Sequence, residues 1–212
     1  MPFFQVAVRA ALIPKVAAFV QSAFLSLRSR ALFSPWTASR VVKPRQAGQA
    51  KTMHAPSPSA EFMRRAIALA LENVRSARGG PFAAVVVKGE RIIAEGANRV
   101  TSTNDPTAHA EVVAIREACH VLGSFQLSGC DLYCTCEPCP MCLGAIYWAR
   151  LGRVFYAATA ADAARAGFDD AFIYDELSRT SSARRIPMQR FLRDESQSIF
   201  SAWASQPNKT PY

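Results

Sequence analysis

His109-Ala110-Glu111 is followed by Pro138-Cys139-Pro140-Met141-Cys142, with 29 residues between His109 and Cys139. Cys139 and Cys142 are spaced i and i+3 where a helix opens, so they share a face. The free N–H groups and positive end of that helix favour the thiolate form of both. One imidazole and two thiolates are three ligands for zinc; the fourth tetrahedral position is left for a water whose pKa falls toward about 7. Glu111, two residues from a ligand, is poorly placed to bind the same ion. It is well placed to take a proton from that water and pass it to a nitrogen of a substrate. Each fragment alone has a plainer reading, His-Ala-Glu as a helix surface and Cys-x-x-Cys as a redox pair or half of a structural metal site. In this order and at this spacing they read as an open, hydrolytic metal site. The competing arrangement is a closed, all-thiolate site of Cys134, Cys136, Cys139 and Cys142, which fall within nine residues. Alternate residues of a strand share a face, so Cys134 and Cys136 could point the same way, but that site leaves His109 and Glu111 without a role.

The elements that hold these residues follow from periodicity. Phe62, Ala66, Leu69, Ala70 and Asn73/Val74 recur at helical spacing from Ser59 onward, and the pattern stops at Gly79-Gly80-Pro81. Phe82 to Val87 and Arg91 to Asn98 read as a hairpin around Lys88-Gly89-Glu90. Asn104-Asp105-Pro106-Thr107 reads as a helix start, with that helix running to Leu122-Gly123. Asp131 to Cys136 is then a strand, Pro140 to Arg150 a helix and Arg153 to Ala158 a further strand. Helices alternating with strands in this rhythm predict an α/β architecture with one sheet. Both Cys/His motifs stand where strands feed helix N-termini, the place where such sheets bind ligands. Cys119 and Cys130 read as small buried apolar residues.

The charge is unevenly distributed. The chain of 212 residues carries a net +9, yet residues 1–60 hold eight Lys/Arg and no Asp or Glu, while the remainder holds 17 basic and 16 acidic residues. A near-neutral domain gives no footing for a polyanion, so no nucleic-acid partner is expected for it. Clustered thiols suit metal ligation in a reducing compartment better than disulfides, and a cytoplasmic location is expected. The longest uncharged apolar run, Val16 to Leu27, has 12 residues, short of the roughly 18 needed to span a membrane. Residues 1–60 read as a basic leader outside the fold: a start misassigned upstream of Met53, a transit-like segment, or a functional arm. Residues 61–212 read as the zinc-bearing domain.

From Glu61 to Tyr212 the chain resembles the guanine deaminases of the cytidine/deoxycytidylate deaminase-like zinc superfamily. The resemblance is carried by Gly79-Gly80-Pro81-Phe82, by Asn104 to Glu111 and by Cys136 to Arg150, which includes Ile146-Tyr147-Trp148-Ala149-Arg150. It is also carried by Ala166-Gly167-Phe168-Asp169-Asp170 and by the terminal Tyr212. The first blocks are shared with tRNA adenosine deaminases; the Ile146–Arg150 and Gly167–Asp170 blocks are similar to guanine deaminases specifically. The resemblance implies a three-layer α/β/α fold with one central mixed sheet and one Zn²⁺ per subunit held by His109, Cys139 and Cys142. The implied reaction is hydrolysis of guanine to xanthine and ammonia, a step of purine metabolism, with Glu111 carrying protons. It further implies Asp170 as a second acid, Asn98 as a hydrogen-bond partner of the base, and Phe82 and Trp148 as apolar walls. A homodimer is implied too, whose C-terminal segment, ending at Tyr212, crosses to close the neighbouring site.

Four of these assignments have structural alternatives. Asn98 could cap a strand end, Phe82 and Trp148 could be core, and Asp170 could cap a helix, with Asp169 beside it as an equal candidate for the second acid. Two other functions share part of the pattern. Adenosine editing of tRNA uses the same metal chemistry but needs a cationic surface that the domain lacks. A catalytically silent zinc module with a basic nucleic-acid- or membrane-binding arm would have no use for Glu111.

Overall fold

The computed structural model describes residues 57–212; residues 1–56 of the expected leader, and every expectation about them, lie outside, while Ala60 at its end already opens the first helix. The first helix, α1 (Ala60–Arg75), starts after Ser59 and is followed by the hairpin β1 (Ala83–Lys88) and β2 (Arg91–Ala97). A short helix α2 (Val100–Thr103) precedes α3 (Ala110–Leu122); then come β3 (Cys130–Cys136), α4 (Pro140–Ala149) and β4 (Arg153–Ala158). The chain continues through α5 (Ala160–Arg165), α6 (Ala171–Ser178), a 3₁₀ turn at Ser181–Ala183 and α7 (Arg193–Ser205).

One four-stranded sheet runs in the order β2-β1-β3-β4. β1 pairs antiparallel with both β2 and β3, while β3 and β4 are parallel across α4. The mixed sheet and its flanking helices are the expected α/β/α arrangement. Strand alternation sorts the core into two layers. Ala84, Val86, Leu132 and Cys134 face α3 and α4, meeting Ala110, Ala114, Ala118, Ile146 and Ala149. Val85, Val87 and Tyr133 face the other way, onto Ala66 and Phe62 of α1. β1 is therefore buried on both faces, which is why Ala83 to Val87 reads as an unbroken apolar run. Cys130 is fully buried and Cys119 packs against the same layer, as expected of small apolar residues.

α3 lies unusually close to the sheet. A Cβ on Gly96 would stand 2.3 Å from the Ala110 carbonyl oxygen and 2.5 Å from the Ala114 nitrogen. Only a residue without a side chain lets the helix settle there, and the position of Ala110 fixes those of His109 and Glu111 on either side.

The start of α3 differs from the sequence expectation. The helix begins at Ala110 with His109 as its N-cap, not at Asn104 to Thr107. The reason is local: Asp105 Oδ1 accepts hydrogen bonds from the Thr107 backbone N–H (2.8 Å) and hydroxyl (2.7 Å), and its carbonyl accepts from Ala108 N–H (3.0 Å). A side-chain turn thus satisfies the groups that a helix would have used. Gly123, with φ 58°, ends α3 where expected.

Candidate active site

β3 runs directly into Glu137-Pro138-Cys139 and α4, so the strand's C-terminal end delivers Cys139 as the N-cap of α4 and Cys142 one turn in. α3 approaches with its own N-terminus, placing His109 as N-cap. Two positive helix ends therefore converge on one spot, which favours anionic sulfur there. The ligand atoms of His109, Cys139 and Cys142 all lie within 4.8 Å of one another. His109 Nδ1 stands 3.6 Å from each of the two sulfurs. A tetrahedral zinc with Zn–S near 2.3 Å and Zn–N near 2.1 Å spaces a nitrogen and a sulfur about 3.6 Å apart, so the trio fits the ion without rearrangement. Nδ1 is the nitrogen so placed.

The electrostatics suit a dication. Hydrogen bonding from the Cys142 thiol, and then from His109, brings the Cys139 thiol down to about 4. Cys142 is held above its ordinary value because its proton is shared with Cys139, and burial adds to this. An ion among the three atoms would replace that shared proton, since both zinc-bound sulfurs are thiolates. The His109 ring is raised, first by its hydrogen bond to Cys139. Among the described residues this is the one trio of His, Cys, Asp or Glu whose ligand atoms converge in this way.

The other two thiols of the Cys134–Cys142 cluster go elsewhere. Cys134 Sγ points to the Phe155 carbonyl at 3.5 Å, and Cys136 Sγ to the Thr159 carbonyl at 3.6 Å. Burial raises both, Cys136 to about 11. Protonated thiols tied to β4 and the residue after it do not form the closed, all-thiolate site.

A cavity of about 580 Å³ opens beside the trio. Glu111, buried at 7 % exposure, lines it, and burial holds its carboxyl above the usual range. Asn98 and Phe82 line it as well. Asn98 Oδ1 accepts from the backbone N–H groups of Gly80 and Val100, each at 3.3 Å. It thus caps the end of β2 and borders the cavity at once. Phe82 is partly core and partly wall, in edge contact with Phe168 at a centroid distance of 4.9 Å.

Both acids line the cavity; Asp170 is the N-cap residue of α6, but the side chain that engages the helix start is that of Asp169, its Oδ1 accepting from Ala171 N–H at 2.9 Å. Asp170 makes no such side-chain cap; it lines the cavity, where burial and then the nearby Cys139 raise its carboxyl.

Trp148 and Tyr212 do not line this cavity. Cys142, Ile146 and Ala149 mark the buried face of α4, and Trp148 projects from the opposite face at 67 % exposure. It lines a second, apolar cavity with Val112, Ile115 and Phe125, and Tyr212 reaches that cavity from the C-terminus, 5.9 Å from the Trp148 ring. Within one chain Trp148 therefore lies away from this cavity, as helical phase explains. Cys136, Glu137, Phe168, Phe172 and Ile173 line the catalytic cavity without having been expected there. Cys136, Glu137 and Phe168 carried a signal, as parts of the Cys136–Arg150 and Gly167–Asp170 blocks; Phe172 and Ile173 carried none.

Comparison with known proteins agrees with this geometry. The family described as "Cytidine and deoxycytidylate deaminase zinc-binding region" matches residues 56–158. The guanine deaminase of Bacillus subtilis is 58% identical over 151 residues, 71% of this chain and 97% of that protein. The chain belongs to the guanine deaminase family. The X-ray structure of guanine deaminase from B. subtilis superposes with a TM-score of 0.72 at 56% identity, covering 74% of this chain and 99% of that one. A tRNA-specific adenosine deaminase of Agrobacterium fabrum is 50% identical over 93 residues only, 42% of this chain and 61% of its own. The fold of this family member is the cytidine deaminase-like α/β fold, its cofactor is zinc, and its class is that of hydrolases acting on C–N bonds. No helix among the described residues is long and apolar enough to cross a membrane.

Proposed function

We propose that this protein hydrolyses guanine to xanthine and ammonia, a step of purine metabolism, in the domain formed by residues 61–212. The observation that carries the reading is the buried Glu111 carboxyl in a cavity beside a zinc-spaced His/Cys/Cys trio, in a chain 58% identical to a guanine deaminase.

His109 Nδ1, Cys139 Sγ and Cys142 Sγ hold the zinc. When bound, the ion supplies a Lewis acid that lets water attack carbon at neutral pH. Glu111 takes the proton of the attacking water as that oxygen adds to the ring carbon bearing the exocyclic amine, and returns it to the adjacent ring nitrogen. The second proton of the added oxygen then passes, by way of Glu111 or Asp170, to the amine, and the carbon–nitrogen bond breaks toward that nitrogen as the carbon–oxygen double bond forms, releasing ammonia. Asp170 is preferred over Asp169 because Asp169 is engaged as the α6 cap. Asn98, with its Oδ1 taken by two backbone donors, offers its NH₂ group to an acceptor on the base. Phe82 supplies an apolar wall.

The chain works as a homodimer with exchanged C-terminal segments. The cavity of about 580 Å³ is open and larger than one purine needs. Meanwhile α7 buries no residue, and Phe191, Ile199 and Phe200 along the same arm are exposed at 79 %, 67 % and 65 %. An arm so rich in exposed apolar surface is built to be covered. The adjacent Trp148 and Tyr212 rings form a ready aromatic pair for the neighbouring site.

The test is ammonia release from a panel of free bases and nucleosides by zinc-loaded protein. Guanine is expected to be turned over well ahead of adenine, cytosine, adenosine and guanosine. A preference for any nucleoside, or for adenine in a tRNA anticodon stem-loop, would overturn the assignment.

A further inference from the structure

Three polar side chains are buried among the described residues: Asn73, Asn98 and Glu111. Asn98 and Glu111 line the catalytic cavity, and Asn73 does not. Asn73 sits in the last turn of α1, at 3 % exposure, on a helix whose other buried residues are Ala66 and Ala70. An amide in such a place is costly unless its N–H groups find acceptors. Both do: Nδ2 donates to the carbonyl oxygens of Gly80 and Asn98, each at 2.9 Å.

Those two acceptors belong to the residues that set the orientation of the Asn98 side chain. The Gly80 N–H is one of the two donors to Asn98 Oδ1, and the Asn98 carbonyl fixes the backbone from which that side chain springs. The Asn98 N–H donates in turn to the Phe82 carbonyl at 2.9 Å, so Phe82 is tied into the same junction. The junction is also too tight for any side chain at Gly79, where a Cβ would meet the Asn98 carbonyl oxygen at 2.1 Å and Asn73 Nδ2 at 3.1 Å. One buried amide thus clamps the Gly79-Gly80 turn to the end of β2, and the clamp aims a second amide at the cavity.

We propose that Asn73 is a positioning residue for substrate recognition, which sets how tightly the base is held by fixing Asn98 and never touches the base itself. The proposal rests on the reading of Asn98 as the group that hydrogen-bonds the base. Misplacing Asn98 weakens binding while leaving the zinc ligands and Glu111, carried on α3 and α4, in place.

The experiment is a double-mutant cycle on zinc-loaded enzyme. kcat and KM for guanine are measured for Asn73→Ala, Asn98→Ala and the double variant, with zinc content and thermal unfolding of each. Asn73→Ala is expected to raise KM about tenfold with kcat nearly unchanged. In the Asn98→Ala background the same substitution is expected to change KM by less than about twofold, because its route to the base is already gone. KM effects that multiply, or an unchanged KM beside lowered thermal stability, would show Asn73 to be structural only and overturn the proposal. Asn73→Asp has the same size without the donating amide and runs through the same cycle, so a folding defect in the alanine variant does not decide the outcome. An unchanged KM in Asn98→Ala alone would instead remove the base-binding role of Asn98, and the clamp's function with it.

Discussion

The stretch from α1 to β4 and the arm from Arg179 to Tyr212 are built on opposite principles. In the first, the zinc trio and Glu111 are held by buried structure: Cys142 is fully buried, Glu111 nearly so, and Gly96 lets α3 lie against the sheet. In the second, no residue of α7 is buried, and large apolar side chains such as Ile186 and Phe191 stand out at 76 % and 79 % exposure. The metal trio and its proton carrier are thus organised within one copy of the chain, whereas α7 finds no burial there, which is what the proposed exchange of C-terminal segments would supply. Preorganised groups are what a low barrier needs, and a cover supplied by a second copy, as proposed, would admit substrate and then exclude water.

The comparison breaks most sharply at Glu111. Glu111→Gln keeps the size of the side chain and removes the proton carrier, so zinc binding, measured by metal analysis, should stay stoichiometric. Guanine turnover should fall by about 10²–10⁴-fold. Near-normal turnover would remove the carboxyl from the mechanism, and lost zinc would make it a ligand. A smaller effect is expected at the support of α3. Gly96→Ala forces a Cβ against the Ala110 carbonyl and should cost about 1–3 kcal/mol of stability, read by denaturant unfolding, with turnover falling as His109 and Glu111 shift. An unchanged midpoint and rate would mean that the close approach of helix and strand does not set the site. The smallest effect belongs to the thiols outside the metal trio. Cys134→Ala and Cys136→Ala should each leave one zinc per chain and activity within about twofold, since raised, protonated thiols behave as small apolar groups. Loss of zinc from either variant would revive the all-thiolate alternative.

The sequence made some of this plain and hid the rest for identifiable reasons. His109, Glu111, Cys139 and Cys142 were legible because short spacings at two helix starts encode their geometry. The sheet was legible because β1 and β3 carry runs or alternations with period two. The start of α3 was misplaced because Asp105 satisfies the backbone through its own side chain, a competition that pattern alone does not resolve. Trp148 was assigned by resemblance, and its placement on the outer face of α4 depends on helical phase relative to Cys142 and Ile146. Asn73 read as an interior helical position; its partners, Gly80 and the carbonyl of Asn98, come from 7 and 25 residues away. Contacts of that range leave no local signature. Phe172 and Ile173 entered the cavity only because the turn after Gly167 brings α6 back over it.

The division of labour between the two regions is tested most directly by mixing subunits. A chain lacking the residues after Ser205 should keep its zinc and its folded core but turn over guanine poorly. Glu111→Gln chains should be inactive for the opposite reason. Mixed under conditions where subunit exchange is verified, the two inactive preparations should recover activity, because the truncated chain's intact Glu111 then lies under the other chain's intact tail. No recovery after verified exchange would mean that the tail acts only within its own chain, and full activity in the truncated chain alone would mean that it closes no site at all.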